Sequence, residues 1–198
     1  MLKRLIIFIY MRKGESDSDK IFQDFLIDFG NSVSGVNLEY MAIESAGWNV
    51  PKFAERVYCY ELYHQMRTIF GNRYEYTING ELPKGSHEII NANRTPDFLI
   101  HCPKSMASNL AIIEVKPFSM LNKFSKLNKD LEKLEFFTGK QALYQHGIMH
   151  VYSNGIIKRE EDGLIDYFKS YVENFINKKK ILLSLHTIPR SKPYFVTL

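Results

Sequence analysis

The sequence predicts an α/β fold, with a mixed central β-sheet flanked by α-helices. Short apolar runs of strand length alternate along the chain with amphipathic helical patterns. Alternation of this kind favours a sheet whose faces are covered by helices. The chain has 198 residues and shows no repeat or linker. We therefore expect one domain, residues 1–198, large enough to build a full hydrophobic core.

The first pattern along the chain is a short apolar run at residues 5–10, which fits either a buried strand or the start of a helix. This run is too short for the core of a signal peptide, and no small-residue cleavage site follows it. We therefore expect a cytoplasmic protein. Residues 20–29 then predict a short amphipathic helix, and Gly30 is a suitable residue to end it.

A longer helix is predicted at residues 53–70. Its apolar side chains recur every three or four residues, as expected for a stripe that faces the core. They are Cys59, Leu62, Met66 and Ile69. Residues 73–78 then alternate like a strand, and Asn79-Gly80 predicts a hairpin turn.

Two strongly apolar strands are predicted next, at residues 96–102 and 109–116. A turn-rich connection separates them, and Pro117 ends the second strand because proline cannot donate to a strand ladder. Residues 110–113 are apolar without interruption, which is typical of a strand covered on both faces. We therefore expect the second strand to lie in the centre of the sheet.

The rest of the chain continues the alternation of helices and strands. Helices are predicted at residues 122–137 and 163–177, and strands at residues 148–152 and 181–186. Residues 194–198 are long enough to add an edge strand.

Composition restricts the class of protein without identifying its function. Hydrophobic residues make up 45% of the chain and charged residues 24%, the balance of an ordinary soluble protein. The formal net charge of +4 permits phosphate binding but does not require it. No apolar stretch approaches the length of a membrane span. The two cysteines, Cys59 and Cys102, form no CxxC pair, so we expect free thiols.

Asp97 and Glu114 are carboxylates inside the two apolar strands. Burial of an ionised carboxylate without a partner is costly, so two of them in neighbouring strands indicate a cation or a functional role. If the strands pair, Asp97 lies near Glu114, and strand alternation puts Glu114 and Lys116 on the same face. Hard divalent cations prefer oxygen ligands, and the backbone carbonyl of Val115 is a third candidate donor. We therefore predict a site for Mg²⁺, or alternatively Mn²⁺, at Asp97, Glu114 and Val115.

This arrangement predicts hydrolysis of a phosphodiester. A metal at the site would polarise a phosphate and acidify a bound water. Lys116 would orient that water or stabilise the charge that develops on the phosphate in the transition state. Without metal the two carboxylates repel each other, so we expect Asp97→Ala to be neutral or stabilising towards heat.

These residues resemble the PD-(D/E)XK nuclease superfamily, also called restriction-endonuclease-like. Pro96-Asp97 matches the PD half of the motif, and Glu114-Val115-Lys116 matches the (D/E)XK half. Members carry the two halves on adjacent strands of a mixed sheet flanked by helices, and an upstream helix often supplies another acidic residue. Glu61 is the candidate for that catalytic and metal-binding role. The resemblance covers about residues 53–150.

The resemblance implies a restriction-endonuclease-like fold and a Mg²⁺-dependent deoxyribonuclease. It implies nucleic acid, specifically DNA, as the partner, and action as a homodimer or as a subunit of a defence or repair complex. Two other functions stay open. One is a non-catalytic module that keeps the fold and binds nucleic acid or a partner protein. The other is an unrelated α/β enzyme whose strand carboxylates hold a metal for different chemistry.

Each candidate residue also has a purely structural interpretation. Glu114 and Lys116 would form a solvent-facing pair if their strand lay at an edge of the sheet. Asp97, directly after Pro96, would be an ordinary turn residue. Glu61 would belong to a solvated helix face.

Other polar residues near the motif are expected to be structural or solvent-exposed. Glu81 is expected on a surface loop. The histidines have no metal-binding spacing with a cysteine or an acid; they are His101, His146 and His150. Several lysines follow the second strand and alternate with acidic residues, which is more typical of a solvated helix face than of a phosphate-binding stripe. They are Lys126, Lys129, Lys133 and Lys140.

Overall fold

In the part of the chain that the structure describes, six strands form one mixed sheet and follow one another across it in chain order. This structure, a computed structural model, describes residues 17–44, 46–47, 49–71, 75–81, 95–105, 109–120, 124–155 and 158–198. The strands are β1 (Thr77–Gly80), β2 (Phe98–His101), β3 (Asn109–Pro117), β4 (His146–Tyr152), β5 (Ile181–His186) and β6 (Tyr194–Thr197).

The strand pairing makes β3 a central strand. β1, β2 and β3 are antiparallel neighbours, whereas β3, β4 and β5 are parallel neighbours and β6 runs antiparallel to β5. β3 has a partner on each side, and all of its residues except Lys116 are buried. The prediction of a mixed sheet with this strand at its centre is confirmed. The alternative in which Glu114 and Lys116 face solvent from an edge strand is wrong.

Helices cover both faces of the sheet. Within the described ranges they are α1 (Asp17–Ser34), α2 (Leu38–Met41), α3 (Glu55–Phe70), α4 (Phe124–Thr138) and α5 (Lys158–Val172). α1, α2 and α3 share one core with Ile113, and α4 and α5 share a second core with Ile112. Ile112 and Ile113, which are successive residues of β3, therefore enter opposite cores, as strand geometry requires. No helix among these described segments is both long and apolar enough to cross a membrane.

Most of the predicted elements are present with slightly shifted ends. α3, α4 and the strands β2 to β6 begin and end within two residues of their predicted bounds. These elements carry long apolar stripes or runs, and burial of those side chains holds the elements in place. The apolar run at residues 5–10 and the first residues of the strand predicted at 73–78 lie outside the described residues.

Two predictions from glycine are wrong. Gly30 does not end the first helix, because Phe29 and Val33 are both fully buried and their packing carries α1 through the glycine to Ser34. Asn79-Gly80 is not a turn either. Asn79 and Gly80 belong to β1 and pair with β2, and Asn79 Oδ1 lies 2.7 Å from His101 Nε2 across the pair.

The last helix also differs from its prediction. α5 begins at Lys158 and ends at Val172, five residues before the predicted bounds at each end. Glu160 and Glu161 lie in its first turn, where acidic side chains interact favourably with the helix dipole. The apolar stripe located the helix, but it did not determine its ends.

Candidate active site

Asp97 lies just before β2, and its carboxylate reaches the central strand. Phe98 pairs with Ile113 in the antiparallel β2–β3 ladder, so the next step of this register places Asp97 opposite Glu114. Asp97 Oδ2 accepts a hydrogen bond of 2.7 Å from the backbone N–H of Val115. The Asp97 side chain therefore acts as the acceptor for β3 where the ladder ends, which goes beyond the role of an ordinary turn residue.

Glu114 is a buried carboxylate with one paired and one unpaired oxygen. Its side chain is 1% exposed, and Oε2 accepts a hydrogen bond of 2.7 Å from Lys133 Nζ. Oε1 is buried and has no hydrogen-bond partner among the described residues. Burial, followed by the negative charge of Asp97, raises the pKa of Glu114 well above its ordinary value, although Lys133 opposes the shift. A buried carboxylate oxygen without a partner indicates a place for a cation or a proton.

Lys116 extends from the same strand towards two further carboxylates. Its Nζ lies 2.9 Å from Glu55 Oε2, at the start of α3, and 3.6 Å from Asp130 Oδ2, on α4. Burial by itself would lower the pKa of Lys116, but Asp130, Asp97 and Glu55 outweigh burial and raise the pKa above its ordinary value. Lys116 is therefore a fixed positive charge held between two helices.

Lys133, on α4, is the second cation of this site. Besides its bond to Glu114, Nζ lies 3.3 Å from Asp130 Oδ1 and donates a hydrogen bond of 3.3 Å to the backbone carbonyl of Thr95. Asp130 thus contacts Lys133 through one oxygen and Lys116 through the other. We refer to the whole group as the carboxylate–lysine cluster; its members are Glu55, Asp97, Glu114, Lys116, Asp130 and Lys133.

The carboxylate–lysine cluster contains more carboxylates than ammonium groups. It contains four carboxylates and two ammonium groups, so its formal charge is −2 when every group is ionised. Burial raises the pKa of Asp97 to about 6, although Lys116 and the N–H of Val115 oppose the shift. The two lysines therefore compensate the carboxylates only in part, and a divalent cation has the charge that would complete the compensation.

The structure brings Asp97, Glu114 and Lys116 into one cluster, and their catalytic and metal-binding roles remain predictions. The carbonyl of Val115 also remains a candidate ligand. In a strand, the N–H and C=O of one residue point to the same side, so the Val115 carbonyl faces the same side as the N–H that binds Asp97.

Glu61, the acid predicted from the upstream helix, does not contact Lys116. Its Oε1 accepts a hydrogen bond of 2.7 Å from Gln65 Nε2, and the Gln65 side chain lies against Gly35, where a Cβ would require it to shift. The acid on α3 that does reach Lys116 is Glu55. Six residues separate Glu55 from Glu61, which amounts to about 9 Å along the helix axis and about 240° around it.

The sequence contained a signal for Glu55 that the prediction overlooked. Counting back along α3 by helical steps, Glu55 continues the line of Cys59, Leu62 and Met66, which is the apolar stripe that faces the core. Glu61 lies beside this line. An acidic residue that begins an apolar stripe is the stronger candidate for a buried site.

Asp130 and Lys133 were not predicted as site residues. Lys133 was expected on a solvated helix face, and this expectation is wrong, because its side chain is 17% exposed and bonded to Glu114. Asp130 lies three residues after Leu127 and four before Leu134, both buried, so it interrupts the apolar stripe of α4 with a charge. That interruption is the signal in the sequence that could have identified it.

Glu81 is outside the cluster. It is exposed and forms an ion pair of 3.3 Å with Arg56, which is also exposed. The expectation of a surface position for Glu81 is therefore confirmed.

A second buried polar group links α3 to β4 and β5. Tyr58 Oη lies 2.8 Å from His150 Nε2 and 2.9 Å from His186 Nδ1, and His150 Nδ1 lies 2.9 Å from Ser184 Oγ. Burial, reinforced by His186, lowers the pKa of His150, and burial lowers the pKa of His186 to about 4. These are neutral core histidines, which confirms the structural interpretation of His150.

The donor atoms at the carboxylate–lysine cluster fit a hard divalent cation, since they are all oxygens and one of them is buried and unpartnered. Within the described segments, no three His, Cys, Asp or Glu side chains are grouped closely enough to hold a metal ion as they stand. At Glu114 and Asp130 the position next to the carboxylate is taken by the ammonium group of Lys133. The oxygen donors are thus chemically suitable for a divalent cation, and the ammonium group of Lys133 lies between two of the carboxylates.

The chain was also compared with known proteins. No family model, no curated protein and no solved structure matches it. The geometry and charge of the carboxylate–lysine cluster are therefore the features that indicate a function.

Proposed function

We propose that this protein is a metal-dependent nuclease that hydrolyses phosphodiester bonds, with DNA as its substrate. The observation that carries the proposal is the carboxylate of Glu114. It is fully buried on the central strand, the register places it opposite Asp97, and Oε1 has no partner in the described part of the chain. A carboxylate that served only as half of a salt bridge would be expected to have its second oxygen satisfied as well.

The candidate ligands are Asp97, Glu114 and the carbonyl of Val115, with Mg²⁺ or Mn²⁺ as the ion. Carboxylate and carbonyl oxygens are the donors that these ions prefer. The formal charge of −2 in the carboxylate–lysine cluster matches the charge of one such ion. When bound, the ion would supply a Lewis acid for the scissile phosphate and acidify the attacking water.

The protein side chains have separate tasks in this proposal. The N–H of Val115 fixes the orientation of Asp97. Glu55 and Asp130 hold Lys116 in place and keep it charged. The ammonium group of Lys116 would then stabilise the negative charge that develops on the phosphate oxygens in the transition state, in an environment where water competes weakly.

The architecture supports the resemblance to the PD-(D/E)XK superfamily and to its restriction-endonuclease-like fold. Pro96-Asp97 stands directly before β2, and Glu114-Val115-Lys116 lies in the adjacent strand β3. Both belong to a mixed sheet flanked by helices, and Glu55 supplies an acid from the upstream helix. The choice of DNA as substrate comes from this resemblance.

A second candidate function is a non-catalytic module on the same fold that binds nucleic acid or a partner protein. One observation favours it: Lys116 and Lys133 are both already paired with carboxylates. In such a module the carboxylate–lysine cluster would be a purely structural ion-pair network. The module would bind DNA through other basic residues, with an affinity that falls as salt rises.

Cleavage of supercoiled plasmid DNA in Mg²⁺ or Mn²⁺ tests the proposal. Wild type is compared with Asp97→Asn and Lys116→Met, and with Lys129→Met, which removes one exposed lysine from α4 as a control. We expect cleavage that a chelator abolishes, a loss of at least about 100-fold in both site variants, and no change in the control. Activity that survives both site substitutions would reject the site. DNA binding without cleavage in the wild type would favour the non-catalytic module.

A further inference from the structure

We propose that the ammonium group of Lys133 occupies the cation position beside Glu114 when no metal is bound, and that a divalent cation must displace it to occupy the site. The inference rests on the proposed function and concerns the regulation of the same site. Lys133 Nζ is surrounded by three oxygens, at 2.7 Å from Glu114 Oε2, 3.3 Å from Asp130 Oδ1 and 3.3 Å from the carbonyl of Thr95. Several oxygens around one positive charge are also what a divalent ion requires.

The ammonium group of Lys133 satisfies Glu114 only in part. One oxygen of the carboxylate is paired with Lys133, while the other is buried and has no partner among the residues described. With both lysines in place and every group ionised, the carboxylate–lysine cluster has a formal charge of −2, and a divalent ion in the place of Lys133 would reduce this charge to −1. A divalent ion at Glu114 would use both the free oxygen and the uncompensated charge, so it can compete with the lysine for this position.

The two lysines differ in how readily they can leave. Lys116 extends from the central strand and is held by Glu55 from α3 and by Asp130 from α4. Lys133 is carried by a helix on one face of the sheet. Its side chain is about as exposed as that of Lys116, 17% against 15%, so the difference between the two lysines lies in the element that carries each of them. The long flexible side chain of Lys133 can move its ammonium group into water while the backbone of α4 stays in place. Glu114, on β3, is fixed by a strand on each side.

Displacement of Lys133 by the metal would have two consequences. Binding of the ion is weakened, because an ion pair to a buried carboxylate must first be broken. Binding would also release the ammonium group of Lys133 from Glu114 into water. Lys133 therefore limits metal occupancy, and its ammonium group becomes more accessible when the ion is bound.

Lysine acetylation of the wild-type protein tests the exposure directly. The protein is labelled with acetic anhydride in chelator or in saturating Mn²⁺, and each lysine is quantified by mass spectrometry. We expect Lys133 to react several-fold faster with Mn²⁺, and exposed Lys129 on the same helix to react equally in both conditions. If Lys133 stays protected while calorimetry shows that Mn²⁺ is bound, the inference is wrong.

Calorimetric titration of Mn²⁺ into Lys133→Met provides the second measurement. We expect this variant to bind Mn²⁺ about tenfold more tightly than wild type, and Lys129→Met to bind like wild type. Equal or weaker binding by Lys133→Met, while the wild type binds and cleaves, overturns the role of Lys133 and leaves the proposed function intact. Absence of Mn²⁺ binding in every protein overturns both. If Lys133→Met does not fold, the labelling of the wild type decides.

Discussion

The backbone N–H of Val115 donates a 2.7 Å hydrogen bond to Asp97 Oδ2, and this contact joins the two halves of the candidate motif. Asp97 stands before β2, and Val115 lies between Glu114 and Lys116 in β3. A side chain therefore continues the pairing of the two strands one step beyond their ladder. Asp97 consequently has a structural task in addition to its proposed role as a metal ligand.

The double task of Asp97 predicts different effects for two substitutions. Asp97→Ala leaves the Val115 N–H without its acceptor, so its free energy of unfolding should be about 1–3 kcal/mol lower than that of Asp97→Asn. Asp97→Asn keeps an acceptor oxygen and removes the charge, so it should be neutral or stabilising. The expectation from the sequence, that Asp97→Ala is neutral or stabilising, did not include this hydrogen bond. Urea unfolding in chelator measures the difference, and equal stability of the two variants would contradict the prediction.

The stability of metal-free protein should depend on the ionisation of Asp97. Burial raises its pKa from 3.8 to about 6, so between these values the folded protein holds a proton that the unfolded chain has lost. Ionisation of Asp97 therefore lowers the free energy of unfolding as pH rises through this window. Relative to wild type, Asp97→Asn should gain little stability near pH ~4 and about 3 kcal/mol by pH ~7. Groups that do not interact with Asp97 titrate alike in both proteins, so a stability difference that stays constant with pH would contradict the assignment.

Glu55 and Glu61 allow a test on a single helix. Glu55→Gln weakens the ion pair that positions Lys116, so we expect DNA cleavage to fall by about 10- to 100-fold. Glu61→Gln changes a carboxylate bonded to Gln65 and should alter cleavage little. Both variants carry the same chemical change, so the comparison isolates position. A greater loss in Glu61→Gln would restore Glu61 as the acid of the site.

Tyr58 should be a strong determinant of stability through its hydroxyl group. Tyr58→Phe leaves His150 Nε2 and His186 Nδ1 without that partner, while the ring can still stack on Tyr152, whose centroid lies 3.8 Å away. We expect a loss of about 1–3 kcal/mol in the free energy of unfolding. Tyr60→Phe, which removes an exposed hydroxyl group from the same helix, is the control and should have little effect. Similar losses in both variants would show that the buried network is not responsible.

The same network should make the fold sensitive to acid. The pKa of His186 is lowered from 6.5 to about 4, so between these values the unfolded chain binds a proton that the folded protein does not. His186 therefore contributes a loss of stability as pH falls below 6.5. We expect His186→Gln to be less stable than wild type at pH ~7, with the difference shrinking as pH approaches ~4. Thermal unfolding across this range measures the effect, and a difference that grows on acidification would contradict the sign.

The motif residues could be predicted because each one is anomalous at its own position. Asp97 and Glu114 are charges inside apolar strands, and the apolar run around Glu114 indicated a central strand. Asp130 is an equally strong anomaly in the stripe of α4, but an acid on a lysine-rich helix resembles an ordinary solvated face until the stripe is followed residue by residue. Glu55 was overlooked for a related reason, since it lies in the first turn of α3, where acidic residues are common.

The sequence by itself determined the alternation of helices and strands, the central position of β3 and the three residues of the motif, because hydrophobic periodicity and misplaced charges are local features. Only the tertiary structure decided which charges meet. Glu55, Asp130 and Lys133 come from two helices on opposite faces of the sheet, and the folding of those helices against β3 brings them to Glu114 and Lys116. Ion pairs between distant segments depend on the register and packing of whole elements, and no local pattern encodes them.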